Sequence, residues 1–130
     1  MLLLSITGCQ SDQERVYPIS GKVVFEDGSP AQFGLIEFRS DSTPPFSARG
    51  KIDDDGTFRV RASGSTSGLT AGTHRAIIIQ VVGNPRGQPR ITHHHGLEVA
   101  DKYRTYKTSD LQIEVLPDGD NDFELLVESK

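Results

Sequence analysis

The sequence predicts an all-β protein, a seven-stranded antiparallel β-sandwich folded as a single domain. Apolar and polar residues alternate in short segments, and turn-forming residues recur at intervals of about ten positions. No segment carries the apolar period of a helix. The length of 130 residues also suits one domain, since domains most often have about 100–150 residues.

The first two strands are predicted at residues 17–25 and 33–39. Between them, residues 26–30 contain Asp-Gly and Pro, which favour a tight reversal of the chain. Alternation within the strands predicts which side chains face the core. The predicted inward residues are Ile19, Gly21, Val23, Phe25, Ile36 and Phe38.

The next two strands are predicted at 46–52 and 57–62. They are joined by a hairpin turn at 53–56, where Gly56 supplies a positive φ angle. The two strands place small and apolar residues on one face and charged residues on the other. The predicted inward residues are Phe46, Ala48, Gly50, Ile52, Phe58, Val60 and Ala62.

The C-terminal half starts with a loop at 63–73, which is rich in Ser, Gly and Thr. Residues 74–82 contain Ile77, Ile78, Ile79, Val81 and Val82, an apolar run that predicts a central strand buried on both faces. A long connection at 83–106 follows, and long loops are often functional. The last two strands are predicted at 111–115 and 123–127, where apolar residues alternate with Gln and Glu.

Residues 17–25 read Tyr-Pro-Ile-Ser-Gly-Lys-Val-Val-Phe. This segment and several others resemble carboxypeptidase regulatory-like domains, including those of small planctomycete-type bacterial lipoproteins. In the similar hairpin at 53–58, Ile52 precedes the turn in place of Thr, and in the segment at 71–78 Ala71 and His74 replace Pro and Tyr. The resemblance implies a transthyretin-like, immunoglobulin-like sandwich of seven strands. It also implies a non-catalytic adhesion, folding or binding module of secreted and envelope proteins.

The N-terminus contains the single cysteine, Cys9, in Ile-Thr-Gly-Cys, which resembles the lipobox of bacterial lipoproteins. The resemblance implies that residues 1–8 are the remnant of a signal peptide and that Cys9 carries the lipid. Residues 9–16 would then be a lipid-anchored tether and 17–130 the folded domain, held outside the cytoplasm at the cell-envelope membrane. No Lys or Arg precedes Cys9 and the apolar stretch is shorter than that of a full signal peptide, two departures that a start codon assigned too far downstream would explain. The alternative is a cytosolic protein with an ordinary cysteine.

Composition excludes several classes of function. The formal net charge is −4, so a broad basic surface for nucleic acid is not expected. One cysteine excludes an intramolecular disulfide and any site with several cysteine ligands. No apolar run reaches the roughly 18 residues of a membrane-spanning helix.

The histidines are the most conspicuous candidate ligands. His93 and His95 would point the same way in an extended segment around His94, and His74 could join them if the chain folds back. They are weak candidates for a metal site, because no specific four-ligand pattern is completed. A solvated loop is the preferred interpretation, and no cofactor is predicted.

Two other polar groups have structural interpretations. The acidic runs at 53–55 and 118–122 could supply calcium ligands, but Asp also favours turns by bonding its own backbone. Turn chemistry is preferred. A basic stripe on the outward face of one hairpin is expected to solvate that face by pairing with acids such as Glu37. The stripe comprises Arg49, Lys51, Arg59 and Arg61.

The sequence therefore predicts a non-catalytic cell-envelope lipoprotein with a structural or binding role. Its partners would be the membrane, through Cys9, and an envelope protein or carbohydrate, met by the connection at 83–106. No catalytic residues are predicted: the Tyr-Arg-Gly-Ser terminus of transthyretin-like hydrolases is missing, and no nucleophile elbow precedes a helix. The alternative is a metal-binding protein or transthyretin-like hydrolase that uses His74 and the cluster from His93 to His95.

Overall fold

A computed structural model describes residues 15–42, 45–60, 68–80 and 97–130. Within these ranges the chain forms nine strands, one short 3-10 helix at Asp101–Arg104 and no α-helix, which confirms the all-β prediction. The strands are β1 Val16–Tyr17, β2 Ile19–Phe25, β3 Gly34–Ser40, β4 Ser47–Ile52, β5 Thr57–Val60, β6 Leu69–Thr70, β7 Gly72–Ile79, β8 Gln112–Val115 and β9 Asp122–Val127.

Seven strands form one sheet in the order β8-β7-β3-β4-β5-β2-β9, and β1 pairs with β6 beside it. The sheet is nearly closed into a barrel. Its two edge strands, β8 and β9, are consecutive along the chain and are joined by a short turn. In that turn the Asn121 side-chain amide accepts from the Leu116 backbone N–H at 2.9 Å and donates to the Leu116 carbonyl at 3.0 Å.

The expectation of a wholly antiparallel arrangement is wrong at one pair of strands. β9 runs parallel to β2 over six residue pairs, from Ser20 with Asp122 to Phe25 with Val127, so the sheet is mixed. The apolar alternation that located both strands is the same for parallel and antiparallel neighbours. The direction of pairing depends on how the chain crosses the molecule, which local alternation does not encode.

The predicted inward residues form the core. Phe38, Phe58, Ile78 and Ile113 are exposed by 0%, 2%, 1% and 4% respectively. The rings of Phe38 and Phe58 lie 5.9 Å apart between centroids, in a tilted arrangement that aromatic pairs favour. Phe46 is only partly buried against this core, and Ala62 lies outside the described residues.

Strand β7 is not the central strand that its apolar run predicts. It lies between β3 and the edge strand β8, while β4 is the middle strand of the sheet. Ile78 and Ile77 are buried on opposite faces, but Ile79 is 41% exposed. The 3-10 helix packs against β7. It leaves part of the outer face of this strand uncovered.

Two predicted loops contain ordered structure that aperiodic sequence does not reveal. In the connection predicted at 83–106, Val99 bridges to Ser129, and Tyr103 is buried with its hydroxyl accepting from the Glu128 N–H at 3.0 Å. In the loop predicted at 63–73, Gly68 has φ of +133°, and a Cβ there would lie 1.9 Å from the Tyr17 carbonyl oxygen. Glycine therefore allows the close approach through which β6 pairs with β1.

Candidate functional site

Several of the sequence-predicted site residues fall outside the part of the chain that the structure describes. They are Cys9, His93, His94, His95 and Arg61. The lipid anchor and the histidine cluster therefore stay predictions. Among the remaining candidates, the structure describes His74, both acidic runs and three residues of the basic stripe.

His74 is a core residue in strand β7, with no exposed surface. Its Nε2 lies 2.7 Å from the Thr70 carbonyl oxygen, so the Nε2–H donates and the ring is fixed against β6. Nδ1 is buried and has no hydrogen-bond partner among the described residues. The ring is thus enclosed in the core, and the described ranges contain no group of three His, Cys, Asp or Glu residues placed to hold a metal ion.

The acidic runs behave as turn-forming residues. One Asp55 carboxylate oxygen accepts from the Thr57 N–H at 3.0 Å and from the Thr57 hydroxyl at 2.5 Å. These hydrogen bonds, the side-chain one first, lower the pKa of Asp55 below its ordinary value. Asp118 and Asp120 are exposed in the turn between β8 and β9.

The basic stripe lines a surface groove of about 520 Å³ at the corner where β4 meets β5. We call it the basic groove. Its polar lining consists of Arg49, Lys51 and Asp53 from β4 and its turn, Thr57 and Arg59 from β5, and Ser20 and Asp122 from β2 and β9. Four strands that are far apart in the sequence thus contribute side chains to one concave surface.

The cations of the basic groove differ in their partners. Arg49 is paired with Glu37 on β3, at 3.2 Å between Nη2 and Oε2. Lys51 and Arg59 form no ion pair with any described residue. The expectation that neighbouring acids neutralise the stripe therefore holds for Arg49 only.

Lys51 and Arg59 also lie next to the one residue pair that joins β4 and β5. That pair is Ile52 with Phe58, and Lys51 and Arg59 are its chain neighbours, both exposed and both lining the groove. Like charges opposite each other on neighbouring strands destabilise a sheet. An anion bound between them would remove this repulsion.

On the acidic side of the groove, the Ser20 hydroxyl contacts the Asp122 carboxylate. The Ser20 hydroxyl donates to one Asp122 carboxylate oxygen at 3.3 Å, and Ser20 is the register partner of both Asp122 and Arg59. Sequence reasoning missed Ser20 and Asp122 as groove residues. The signal that could have found them is the pairing of β2 with β9, which no local pattern contains.

The floor of the groove is formed by backbone at two glycines. A Cβ at Gly50 would lie 2.3 Å from the Arg59 carbonyl oxygen, and one at Gly21 would lie 2.4 Å from the Phe123 carbonyl oxygen. Only glycine permits these close approaches between neighbouring strands. A Cβ at Gly21 would also lie 2.6 Å from the buried Phe58 ring, so the missing side chain makes room for the core and not for the groove.

Two further hollows, of about 510 and 320 Å³, share the residues from Ser40 to Ser42. The smaller hollow is lined by Arg39 and Arg75, which contact other parts of the same chain. Arg75 donates to the carbonyls of Tyr106 and Ser109, and the Arg39 guanidinium lies 5.7 Å from the Tyr106 ring centroid. These cations hold the segment around Tyr106 against the sheet.

Tyr106 is the third residue that sequence reasoning missed. Its hydroxyl donates to Glu37 Oε1 at 3.0 Å, and burial, followed by the Glu37 carboxylate, raises its pKa well above the ordinary value. Glu37 thus links Tyr106 to Arg49 at the border of the groove.

Comparisons with known proteins identify no relative of this chain. No family model, no curated protein and no solved structure matches the chain. The similarity to carboxypeptidase regulatory-like domains therefore rests on the sequence motifs. None of the described residues form a helix of the length and apolarity needed to cross a bilayer.

Proposed function

We propose that this chain is a non-catalytic binding domain of the carboxypeptidase regulatory-like type, held at the cell envelope by a lipid on Cys9, and that the basic groove contacts its ligand. The observation that carries the binding role is the adjacent, unpaired pair Lys51 and Arg59. On a chain of net charge −4, a concave surface with two unneutralised cations is suited to an anionic ligand.

The strand pairing supports a transthyretin-like sandwich as the finer description of the fold. β4 and β5 share a single residue pair, Ile52 with Phe58, whereas β3 and β4 share six. We propose that the sheet divides at this point into a group of four, β8-β7-β3-β4, and a group of three, β5-β2-β9, whose inner faces turn toward one core. Two facing sheets are the arrangement that the resemblance implies.

The binding role is tested by titrating the full chain with sulfate, a simple anion, and following backbone amide shifts by NMR. We expect the largest changes at Ser20, Lys51 and Arg59, because these residues line the groove. An Arg59→Gln variant should lose them, and Lys107→Gln, at an exposed residue outside the groove lining, should keep them. Changes of equal size all over the surface would contradict the proposal.

The anchor is tested in the native cell. We expect the protein to partition into detergent and the Cys9→Ser variant to lose this behaviour, since acyl chains supply the membrane affinity. Recovery of the wild-type protein in the soluble cytosolic fraction would contradict the proposed location at the cell envelope. The binding role of the groove would then be decided by the sulfate titration alone.

A further inference from the structure

Resting on the proposed binding role, we propose that the ligand of the basic groove is an acidic saccharide, a hydroxyl-rich chain with a carboxylate on its sugar units. The groove combines three cations, two carboxylates and two hydroxyl side chains on one open surface. The proposal follows from how these groups are distributed and from which of them already have partners.

The two carboxylates exclude a dense polyanion. Asp53 and Asp122 lie in the same groove as Lys51 and Arg59, so a polyphosphate that followed the cations would be repelled by the acids. A sugar chain presents separate groups instead. Its carboxylate can accept from the cations while its hydroxyls donate to the two aspartates.

Both aspartates have capacity for such hydrogen bonds. Asp122 accepts one bond, from the Ser20 hydroxyl, on one of its two oxygens. The Asp53 side chain is exposed and bonds to no described residue, although its backbone pairs with Thr57 in the turn. Unlike Asp55, whose carboxylate is occupied by Thr57, Asp53 is free to accept from a ligand.

Arg59 is the residue best placed to bind the carboxylate. It is exposed, it has no ion-pair partner among the described residues, and it lies beside Lys51 on one side and Ser20 on the other. A guanidinium can bind a carboxylate through two parallel N–H bonds, which a lysine cannot. Arg49 is less suited, because Glu37 already binds its guanidinium.

The experiment compares four probes on the full chain by calorimetry and by amide shifts in NMR. The probes are an oligogalacturonate, a neutral oligogalactan of the same length, an oligoglutamate of the same charge, and sulfate. We expect the oligogalacturonate to bind at least about tenfold more tightly than either other oligomer, the difference of one charge-assisted hydrogen bond.

Two variants locate the binding. Arg59→Gln should weaken oligogalacturonate binding by about tenfold or more, and Asp53→Asn should weaken it by less while leaving sulfate unaffected. Lys107→Gln, which also removes one exposed cation, should change neither affinity by more than about twofold.

The outcomes separate this inference from the proposed function. Equal affinity for oligoglutamate, or for the neutral oligogalactan, would overturn the saccharide assignment. Sulfate shifts in the groove without oligogalacturonate binding would overturn it too, while the binding role would stand. No shift in the groove with any of the four probes would overturn both.

Discussion

Two regions of the outer surface of the sheet use their arginines in opposite ways. On the β3–β7 face, Arg75 donates to backbone carbonyls of the segment that crosses it, and Arg39 lies over the Tyr106 ring. On the β4–β5 face, Lys51 and Arg59 line one groove and form no ion pair with any described residue. In the first region the cations bind the chain itself. In the second region the cations are available to bind a ligand.

The difference shows that charge alternation on a strand does not distinguish a structural cation from a ligand-binding one. Arg39 and Arg49 occupy outward positions on paired strands, β3 and β4, and look alike in sequence. What differs is whether another segment of the chain covers them. The predictions below alter one region at a time.

The largest effect is expected from Gly50→Ala at the floor of the groove. The new Cβ would lie 2.3 Å from the Arg59 carbonyl oxygen, so β4 and β5 would have to separate, at a cost of about 1–3 kcal/mol in the free energy of unfolding. Urea denaturation measures it. Ser47→Ala, at an exposed residue of the same strand, is the control and should change little. Wild-type stability in Gly50→Ala would show that the two strands are not closely packed there.

A smaller loss is expected from Tyr106→Phe on the β3–β7 face. The variant removes the hydroxyl that donates to Glu37 and should lower the free energy of unfolding by about 1 kcal/mol. A double-mutant cycle with Glu37→Gln measures the coupling between the two side chains. Additive effects of the two substitutions would contradict a direct bond. Sulfate shifts in the groove should survive Tyr106→Phe, because Tyr106 does not line it.

The substitution Lys51→Gln should change the free energy of unfolding in the opposite direction. Removing one of two like charges in the groove should raise the free energy of unfolding of the unliganded chain by less than about 1 kcal/mol. Thermal denaturation measures this gain, which should shrink as salt is added. The same variant should weaken sulfate binding. A loss of stability would mean that Lys51 has a structural partner and would remove the contrast between the two regions.

The smallest effect is expected from zinc or copper. Because the His74 ring is enclosed in the core, calorimetry should give no tight one-to-one binding that depends on it. Tight binding that is lost in a His93→Ala/His95→Ala variant would favour the metal-binding alternative, in which the histidine cluster acts. If His74→Phe then abolished binding as well, without unfolding the chain, the description of His74 as a core residue would be wrong.

Local patterns in the sequence located seven of the nine described strands and their inward faces, and did not reveal β1, β6 or the 3-10 helix. Alternation placed Phe38 and Phe58 in the core, and turn chemistry placed Gly56 at a hairpin with φ of +83°. These features depend on neighbours along the chain, because burial of every second residue and a positive φ leave local signals.

Only the tertiary structure decided the parallel pairing of β9 with β2, the position of β7 near the edge, and the partners of each cation. The groove depends on the first and the third of these, since Ser20, Arg59 and Asp122 meet only because their strands are neighbours in space. Pairing between distant segments is selected by the packing of the whole core, and the same apolar alternation is compatible with several strand orders.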